Sequence, residues 1–185
     1  MSEIIPAVLA TDIQDFKSKL SQIPDEVKFV HIDVLEDDIW ADIGIDFEVH
    51  LMVKEPDKII SKWIKRGAKR IIVHSLGNLV SKLPKSIEIG LGVELYTSLR
   101  DVFPFVHEVD FLHLMSIDAL GTQGDNFEPI IFDRIKEVKK EFPHMVISID
   151  GGINTTNYQA LNDLKVDRLI VGSGFKNLWE SLMRK

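Results

Sequence analysis

The chain has 185 residues, 45% of them hydrophobic and none of them cysteine, and its formal net charge is −7. This length predicts one domain over residues 1–185. The lack of cysteine excludes disulfides, thiolate nucleophiles and cysteine-based zinc sites, and the acidic balance argues against a nucleic-acid-binding protein, which needs a basic face. The sequence has no run apolar enough for a membrane span and no basic region typical of a secretory signal. We therefore expect a cytoplasmic protein that binds neither nucleic acid nor membrane.

Short β-branched runs alternate with amphipathic segments along the chain. Because strands that alternate with helices favour a parallel sheet with right-handed crossovers, and eight strands close a barrel, we predict an α/β fold, a (β/α)8 TIM barrel. The predicted strands are 4–10, 29–34, 47–53, 70–75, 87–94, 111–117, 145–152 and 168–174. The predicted helices are 12–22, 56–66, 128–142, 155–164 and 175–184.

The barrel must be shortened, because such barrels usually need about 250 residues. Only 12 residues, 35–46, join the second strand to the third, close to the minimum of about 10–12 for a whole crossover. We expect the helix of the second unit to be truncated or missing and that of the fourth unit, over 78–86, to be shortened by Pro84. If the strands do not close, an open sheet is the alternative.

A missing helix should uncover apolar side chains on the outer faces of the second and third strands. A soluble chain has to cover such a surface, and self-association is the simplest way. We therefore predict a homo-oligomer, most simply a dimer. The side chains concerned are Val30, Ile32, Val49 and Leu51.

Side chains alternate between the two faces of a strand, so position in the sequence sorts the polar residues by face. His31 and Asp33 share one face of the second strand, and His50 and Asp150 take the same face of the third and seventh strands. In a barrel this face points inward, and active sites lie at its C-terminal rim. Any one of these residues alone would be an ordinary polar residue at a strand end, but together they predict a site.

Two imidazoles and two carboxylates are ligand types that suit Zn²⁺, Fe²⁺, Mn²⁺ or Co²⁺. The four residues therefore predict a site for one divalent metal ion. His74 and His113 have the same inward parity, and we interpret them as core or rim histidines rather than as members of the site.

Glycines follow the last two predicted strands, in DGGIN (150–154) and VGSGF (171–175). The loops after the seventh and eighth strands, with a helix N-terminus, often form a phosphate site in this fold. Gly151, Gly152 and Gly172 would let the backbone approach a phosphate closely. The alternative is that these glycines only form tight turns.

In this order along the chain, HID, HLMV, LMS, DGGIN and VGS resemble the motifs of ribulose-phosphate 3-epimerases, and the resemblance covers nearly the whole chain. It implies that one metal ion is held and that two aspartates, Asp33 and Asp150, also transfer protons while a phosphorylated ketose is epimerised through an enediolate. The implied ligands are His31, Asp33, His50 and Asp150. The implied substrate and phosphate contacts are Met52, Met115, Gly121, Gly151, Gly152, Gly172 and Ser173.

The chain also departs from the pattern of this family. Ala7 stands where the family has a serine, Leu35-Glu36-Asp37 replaces Met-Asp-Gly, and the loop 118–127 lacks the Pro-Gly-Phe-Gly-Gly-Gln lid. D-ribulose 5-phosphate is the first candidate substrate. The alternatives are an epimerase of another ketose phosphate, or a non-catalytic protein that binds a sugar phosphate or serves in assembly.

Overall fold

A computed structural model describes residues 1–78, 83–122 and 124–184. Eight parallel strands form a closed barrel in which β8 pairs back with β1. This confirms the predicted TIM barrel and excludes the open sheet. The strands are β1 (Glu3–Leu9), β2 (Phe29–Val34), β3 (Asp46–Leu51), β4 (Arg70–Val73), β5 (Glu88–Val93), β6 (Phe111–Met115), β7 (Val146–Asp150) and β8 (Arg168–Val171).

Helices surround the barrel, and each predicted helix has a shorter counterpart. They are α1 (Ile13–Leu20), α2 (Ile60–Lys65), α3 (Leu99–Val102), α4 (Ile131–Glu141), α5 (Tyr158–Asp163) and α6 (Phe175–Met183), with 3₁₀ turns at Pro56–Lys58 and Phe103–Glu108. The sequence did not predict α3 or the turn after it. Within the described ranges the longest helix, α4, has 11 residues, well short of the roughly 20 that a bilayer requires.

Local sequence sets the ends of several helices. α1 begins after Asp12, whose carboxylate accepts a hydrogen bond of 2.9 Å from the backbone N–H of Asp15, a typical N-cap. α2 is followed by Gly67, which has a φ of +97°. Side chains disfavour this left-handed region, so the glycine allows the chain to turn into β4.

The second βα unit has no helix, as predicted: residues 35–45 run from β2 to β3 as irregular chain. Trp40 from this segment packs against Phe47 and Trp63, with ring centroids 5.0 and 5.3 Å apart. The guanidinium of Arg66 lies 5.2 Å from the centre of the Trp40 ring. An aromatic side chain therefore takes the place of the missing helix.

The expectation that the outer faces of β2 and β3 are uncovered is wrong. Their apolar side chains are at most 2% exposed, because Trp40 and its neighbours lie over them. These strands consequently give no reason for a dimer, and the oligomeric state stays a prediction. The side chains are Val30, Ile32, Val49 and Leu51. Of the shortened fourth helix predicted over 78–86, residues 79–82 lie outside the described residues.

Candidate active site

The predicted polar residues meet in the C-terminal half of the barrel interior. Asp33 on β2 stands in register with His50 on β3, and Asp150 ends β7. The rings of His31 and His50 are fully buried, whereas the side chains of Asp33 and Asp150 are 10% and 14% exposed. The two carboxylates therefore face the barrel opening, with imidazoles beneath them.

The two carboxylates approach the same pair of imidazole nitrogens from different strands. Oδ1 of Asp33 lies 3.1 Å from Nε2 of His31 and 3.4 Å from Nδ1 of His50. Oδ2 of Asp150 lies 3.8 Å from Nε2 of His31 and 3.6 Å from Nδ1 of His50. The four residues predicted from the sequence thus form one cluster.

The structure adds His113, which the sequence placed only in the core or at the rim. Its ring is fully buried on β6, and its Nε2 lies 3.2 Å from Oδ2 of Asp150. One donor atom each from His31, His50, His113 and Asp150 lie within 4.8 Å of one another. The sequence indicated only that side-chain alternation places His113 on the inward face of its strand. Alternation does not show which nitrogen reaches which carboxylate.

Neighbouring side chains orient the imidazoles of the cluster. Oε1 of the buried Glu48 lies 2.8 Å from Nδ1 of His31, and Oε2 lies 3.3 Å from the guanidinium of Arg70. Nε2 of His74 lies 2.8 Å from Nε2 of His50. Partners on the far ring nitrogens are typical of metal-binding histidines, and here they leave Nε2 of His31 and Nδ1 of His50 facing the carboxylates.

The donor set fits one divalent ion. Nδ1 of His50 is buried and has no hydrogen-bond partner among the described residues. The separations between the cluster's carboxylate oxygens and imidazole nitrogens run from 3.1 to 3.8 Å. Donors about 2.1 Å from a tetrahedral ion lie about 3.4 Å apart, so the cluster is spaced to share an ion, and an ion would satisfy the orphaned nitrogen.

Burial and charge act against each other on the protonation of the cluster. Burial alone would lower the pKa of His31, but the carboxylates of Asp33 and Glu48 outweigh it and raise this pKa well above its ordinary value. Burial opposes ionisation of Asp33, yet His31 holds the pKa of Asp33 below its ordinary value. Both cluster aspartates have lowered pKa values, so they are ionised at neutral pH.

The two histidines that the sequence left outside the site are neutral. Burial, with a smaller contribution from the nearby His50, lowers the pKa of His74 to about 3. Burial likewise lowers the pKa of His113 to about 4, although Asp150 works in the opposite direction. Each ring therefore keeps one nitrogen lone pair free at physiological pH.

A cleft of about 240 Å³ lies above the cluster, and Asp33 and Asp150 form part of its wall. All the residues that the family resemblance assigned to substrate or phosphate line it. They are Met52, Met115, Gly121, Gly151, Gly152, Gly172 and Ser173. Among the described residues, those lining this cleft include no lysine or arginine, so their polar surface consists of carboxylates, amides, hydroxyls and backbone.

The turn after β7 is held rigidly against the loop that follows β6. Gly152 has a φ of +63°, and a Cβ there would lie 2.6 Å from the backbone nitrogen of Phe127. The side-chain amide of Asn157 donates to the carbonyl oxygen of Gly152 at 3.0 Å, and the hydroxyl of Ser116 lies 2.6 Å from the carbonyl oxygen of Gly151. Glycine is therefore required at 152. Sequence reasoning did not identify Asn157 or Ser116 as supports of this turn.

A family model described as the ribulose-phosphate 3 epimerase family matches residues 36–176, most of the chain. The chain belongs to this family. The match to the family model begins after the HID motif, but the alignments with curated relatives cover more of the chain. A ribulose-phosphate 3-epimerase from Mycoplasma genitalium is 29% identical over 85% of this chain and 84% of its own length. One from Aquifex aeolicus is 27% identical over 94% of this chain and 89% of its own. These relatives are isomerases by name, and the chain is classed with them.

Solved structures with the same architecture are more distant. A chain of the tryptophan synthase a2b2 complex from Pyrococcus furiosus matches with a TM-score of 0.69 and 11% identity, over 94% of this chain and 88% of that one. Phosphoribosyl anthranilate isomerase from Thermococcus kodakaraensis matches with a TM-score of 0.60 and 15% identity, over 94% of this chain and 89% of that one. At such identities the likeness supports the barrel fold alone.

The departures of this family member from the family pattern lie around the same cleft. Ala7 lines the cleft without offering a hydroxyl. The side chain of Leu35 comes within 2.8 Å of the position that a Cβ at Gly121 would occupy. Asp125, in the altered loop, adds a third carboxylate to the lining. The differences from the family pattern are therefore concentrated where a substrate would be enclosed.

Proposed function

We propose that the protein is a metal-dependent 3-epimerase of a phosphorylated ketose, with D-ribulose 5-phosphate to D-xylulose 5-phosphate as the first candidate reaction. Family membership supports the reaction class. The observation that carries the proposal is the placement of Asp33 and Asp150, which stand on β2 and β7, face one cleft and share the same imidazole partners.

Inversion at C3 needs one base on each face of the sugar. A carboxylate that is ionised at neutral pH removes the C3 proton, the carbonyl electrons shift to give an enediolate, and the second group returns a proton to the opposite face. Asp33 and Asp150 supply these two groups. The one that removes the proton must enter the step ionised, which its imidazole partners favour, and the one that returns a proton must enter it protonated and leave it ionised. Met52 and Met115 would pack against the sugar between them.

His31, Asp33, His50 and Asp150 would hold the ion, which is Zn²⁺, Fe²⁺, Mn²⁺ or Co²⁺ by the chemistry of its donors. When bound, it supplies positive charge that stabilises the oxygens of the enediolate. The buried Glu48 and His74 would keep the ring nitrogens of His31 and His50 aimed at this position.

The phosphate would lie at the other end of the cleft, against the turns after β7 and β8. Gly151, Gly152, Gly172 and Ser173 line this end, and α6 begins directly beyond Gly174. Because the described part of the lining has no cationic side chain, backbone N–H groups and the N-terminus of α6 are the groups that would bind the anion.

The test is proton NMR of D-ribulose 5-phosphate in D₂O with the Co²⁺-loaded protein. Loss of the C3 proton signal with formation of xylulose 5-phosphate is the expected result. In Asp33→Asn the C3 proton signal should persist and no xylulose 5-phosphate should form. Asp133→Asn, which changes an exposed carboxylate on α4, is the matched control and should behave as the wild type. Exchange without the epimer would mean that one base works on an unsuited sugar.

A second candidate is an epimerase of a different ketose phosphate, favoured by Ala7 and Asp125 in the cleft wall. A panel of ketose phosphates in the same NMR assay separates the two. No exchange with any of them would favour the non-catalytic sugar-phosphate-binding alternative and overturn the proposal.

We also expect a cytoplasmic homo-oligomer, most simply a dimer; a monomer in sedimentation at micromolar concentration would contradict the oligomer.

A further inference from the structure

We propose that His113 is a fifth protein ligand of the metal centre, so that three imidazoles rather than two hold the ion. The proposal rests on the metal site of the proposed function but concerns a residue outside the set that the family resemblance implies. The first observation is the position of the His113 side chain. His113 lies on β6, next to β7 and its Asp150, and the two side chains meet at 3.2 Å.

The ring of His113 belongs to the same stack of imidazoles as the other two. It lies parallel to the His31 ring, with centroids 5.5 Å apart and planes at 11°. It meets the His50 ring edge-on at 4.7 Å. Each of the three rings offers a donor atom within 4.8 Å of the others and of an Asp150 oxygen. This limit is slightly wider than the separation of about 4.2 Å between donors on opposite sides of one ion with bonds of about 2.1 Å, so the side chains would move a little closer together around an ion.

The far nitrogen of His113 has the partner that a metal-binding ring needs. Nδ1 lies 3.2 Å from Oγ of the fully buried Ser148, and this hydroxyl can accept a hydrogen bond from an Nδ1–H. In that tautomer Nε2 carries a free lone pair on the side of Asp150, where the two donors can share an ion. A buried imidazole fixed in this way is typical of metal ligands, and Ser148 would act as Glu48 does for His31.

The barrel interior makes room for the neighbouring His74 ring through β5. Gly92 is the neighbour of His113 in register and has no side chain on the inner face. A Cβ at Gly92 would come within 2.8 Å of the His74 ring. A glycine here lets His74 lie against His50 while His113 keeps its own place beside Asp150. The inner face of β5 is thus shaped for a crowded group of imidazoles.

A fifth ligand changes what the ion can offer a substrate. Every imidazole that binds the ion takes a position that a substrate oxygen could otherwise occupy. The ketose would then reach the ion through fewer of its oxygens, and an oxygen that does not reach the ion would have to be held by the protein. His113 would in this way influence how the substrate is oriented.

The test counts imidazoles on Co²⁺ bound to the full-length protein by X-ray absorption spectroscopy, with Co²⁺ affinity measured by chelator competition. We expect three imidazoles in the wild type and two in His113→Gln, with affinity reduced by more than about 100-fold, the upper range for a residue that acts only through a ligand. His144→Gln, an exposed histidine, is the control and should match the wild type. Ser148→Ala should keep three imidazoles and lose affinity by about 10-fold.

The wild-type count decides the matter even if His113→Gln folds poorly. Two imidazoles in the wild type, or no stoichiometric Co²⁺, would overturn the proposal. Turnover is a separate measurement. Two imidazoles in a protein that epimerises ribulose 5-phosphate would overturn the role of His113 and leave the proposed function standing. Three imidazoles in a protein without turnover would support the role of His113 and overturn the proposed function.

Discussion

The two ends of the barrel both contain carboxylates, but they differ in the cations that face them. At the N-terminal end the partners are arginines. Arg168 lies 2.7 Å from Glu88, and Arg70 lies 3.3 Å from Glu48 and 3.5 Å from Glu3. Guanidinium groups stay charged at every pH that proteins experience. These carboxylates are therefore permanently neutralised, and this end of the barrel is a structural support.

At the C-terminal end the ion-pair partners of Asp33 and Asp150 among the described residues are all imidazoles. An imidazole can lose its proton and turn a lone pair toward an ion, so this end can exchange a proton for a metal ion. A buried carboxylate therefore indicates a functional site when its partners can give up their charge. It indicates a structural ion pair when they cannot. Four substitutions test this distinction, beginning with the largest expected effect.

Asp150→Asn should remove the function of the C-terminal end. The variant loses one proton-transfer group and one ligand, and general acid–base groups contribute about 10²- to 10⁴-fold to rate, so we expect epimerisation to fall by about 10³-fold or more. Initial rates by NMR measure this.

In the wild type, Co²⁺ at 100 times its dissociation constant should add about 2.7 kcal/mol to the free energy of unfolding, and the Asp150→Asn variant should lose this gain. A variant that kept the full gain would contradict the assignment.

Arg70→Met should damage the N-terminal end without affecting the metal response. Removing Arg70 leaves the fully buried Glu48 with only His31 as partner. Breaking a buried ion pair costs about 3–5 kcal/mol; because His31 remains, we expect a loss of about 2–3 kcal/mol in urea unfolding. Arg100→Met, on the exposed face of α3, is the control. The comparison fails if Arg70→Met also abolishes stabilisation by Co²⁺.

Glu48→Gln tests the one residue that touches both ends. The glutamine can still accept from Nδ1 of His31 but no longer carries the charge that fixes the ring. We expect Co²⁺ affinity to fall by about 10-fold, the low end for a partner of a metal ligand. Glu88→Gln removes a carboxylate that contacts Arg168 and Arg70 but no histidine, and should leave the affinity unchanged. Equal losses in both variants would mean that Glu48 acts through general charge.

Much of this arrangement was predictable because side-chain alternation is local. Parity alone placed His31, Asp33, His50 and Asp150 on the inner face, and the structure brings all four together. The contact between His113 and Asp150 was not predictable, because the depth of His113 relative to Asp150 depends on the stagger between strands, a property of the closed barrel. Helix α3 has four residues, too few for a hydrophobic period to be read.

The segment 35–45 shows a second limit of local reasoning. Its length correctly predicted that a helix is missing. Its aromatic cover over β2 and β3 was not predicted, because Trp40 is held by Trp63 and Arg66, which follow more than 20 positions later. Arg66 in turn pairs with Asp38 of the same segment. Nothing in the periodicity of the segment indicates this docking.

Asp38→Asn gives the smallest expected effect and serves as the exposed reference for the pairs inside the barrel. The Asp38 carboxylate meets Arg66 at 2.5 Å and also Lys62, and its side chain is 44% exposed. Arg66, then Lys62, holds the pKa of Asp38 below its ordinary value. Screening by solvent limits such a pair to about 0.5 kcal/mol, so we expect a loss of about that size at neutral pH, measured by urea unfolding.

The pH dependence of this loss has a definite sign. Because the pKa of Asp38 is lower in the folded than in the unfolded protein, its contribution is present above the unfolded value of about 3.9 and disappears as the pH falls through the folded value. The unfolding free energies of wild type and Asp38→Asn should therefore converge below about pH 4. They should also converge in 1 M salt, where an exposed pair is screened within about 3 Å. If the difference in unfolding free energy persisted in high salt, Asp38 would be holding Arg66 over Trp40 by geometry rather than by charge. This exposed pair would then resemble the arginine–carboxylate pairs at the N-terminal end of the barrel.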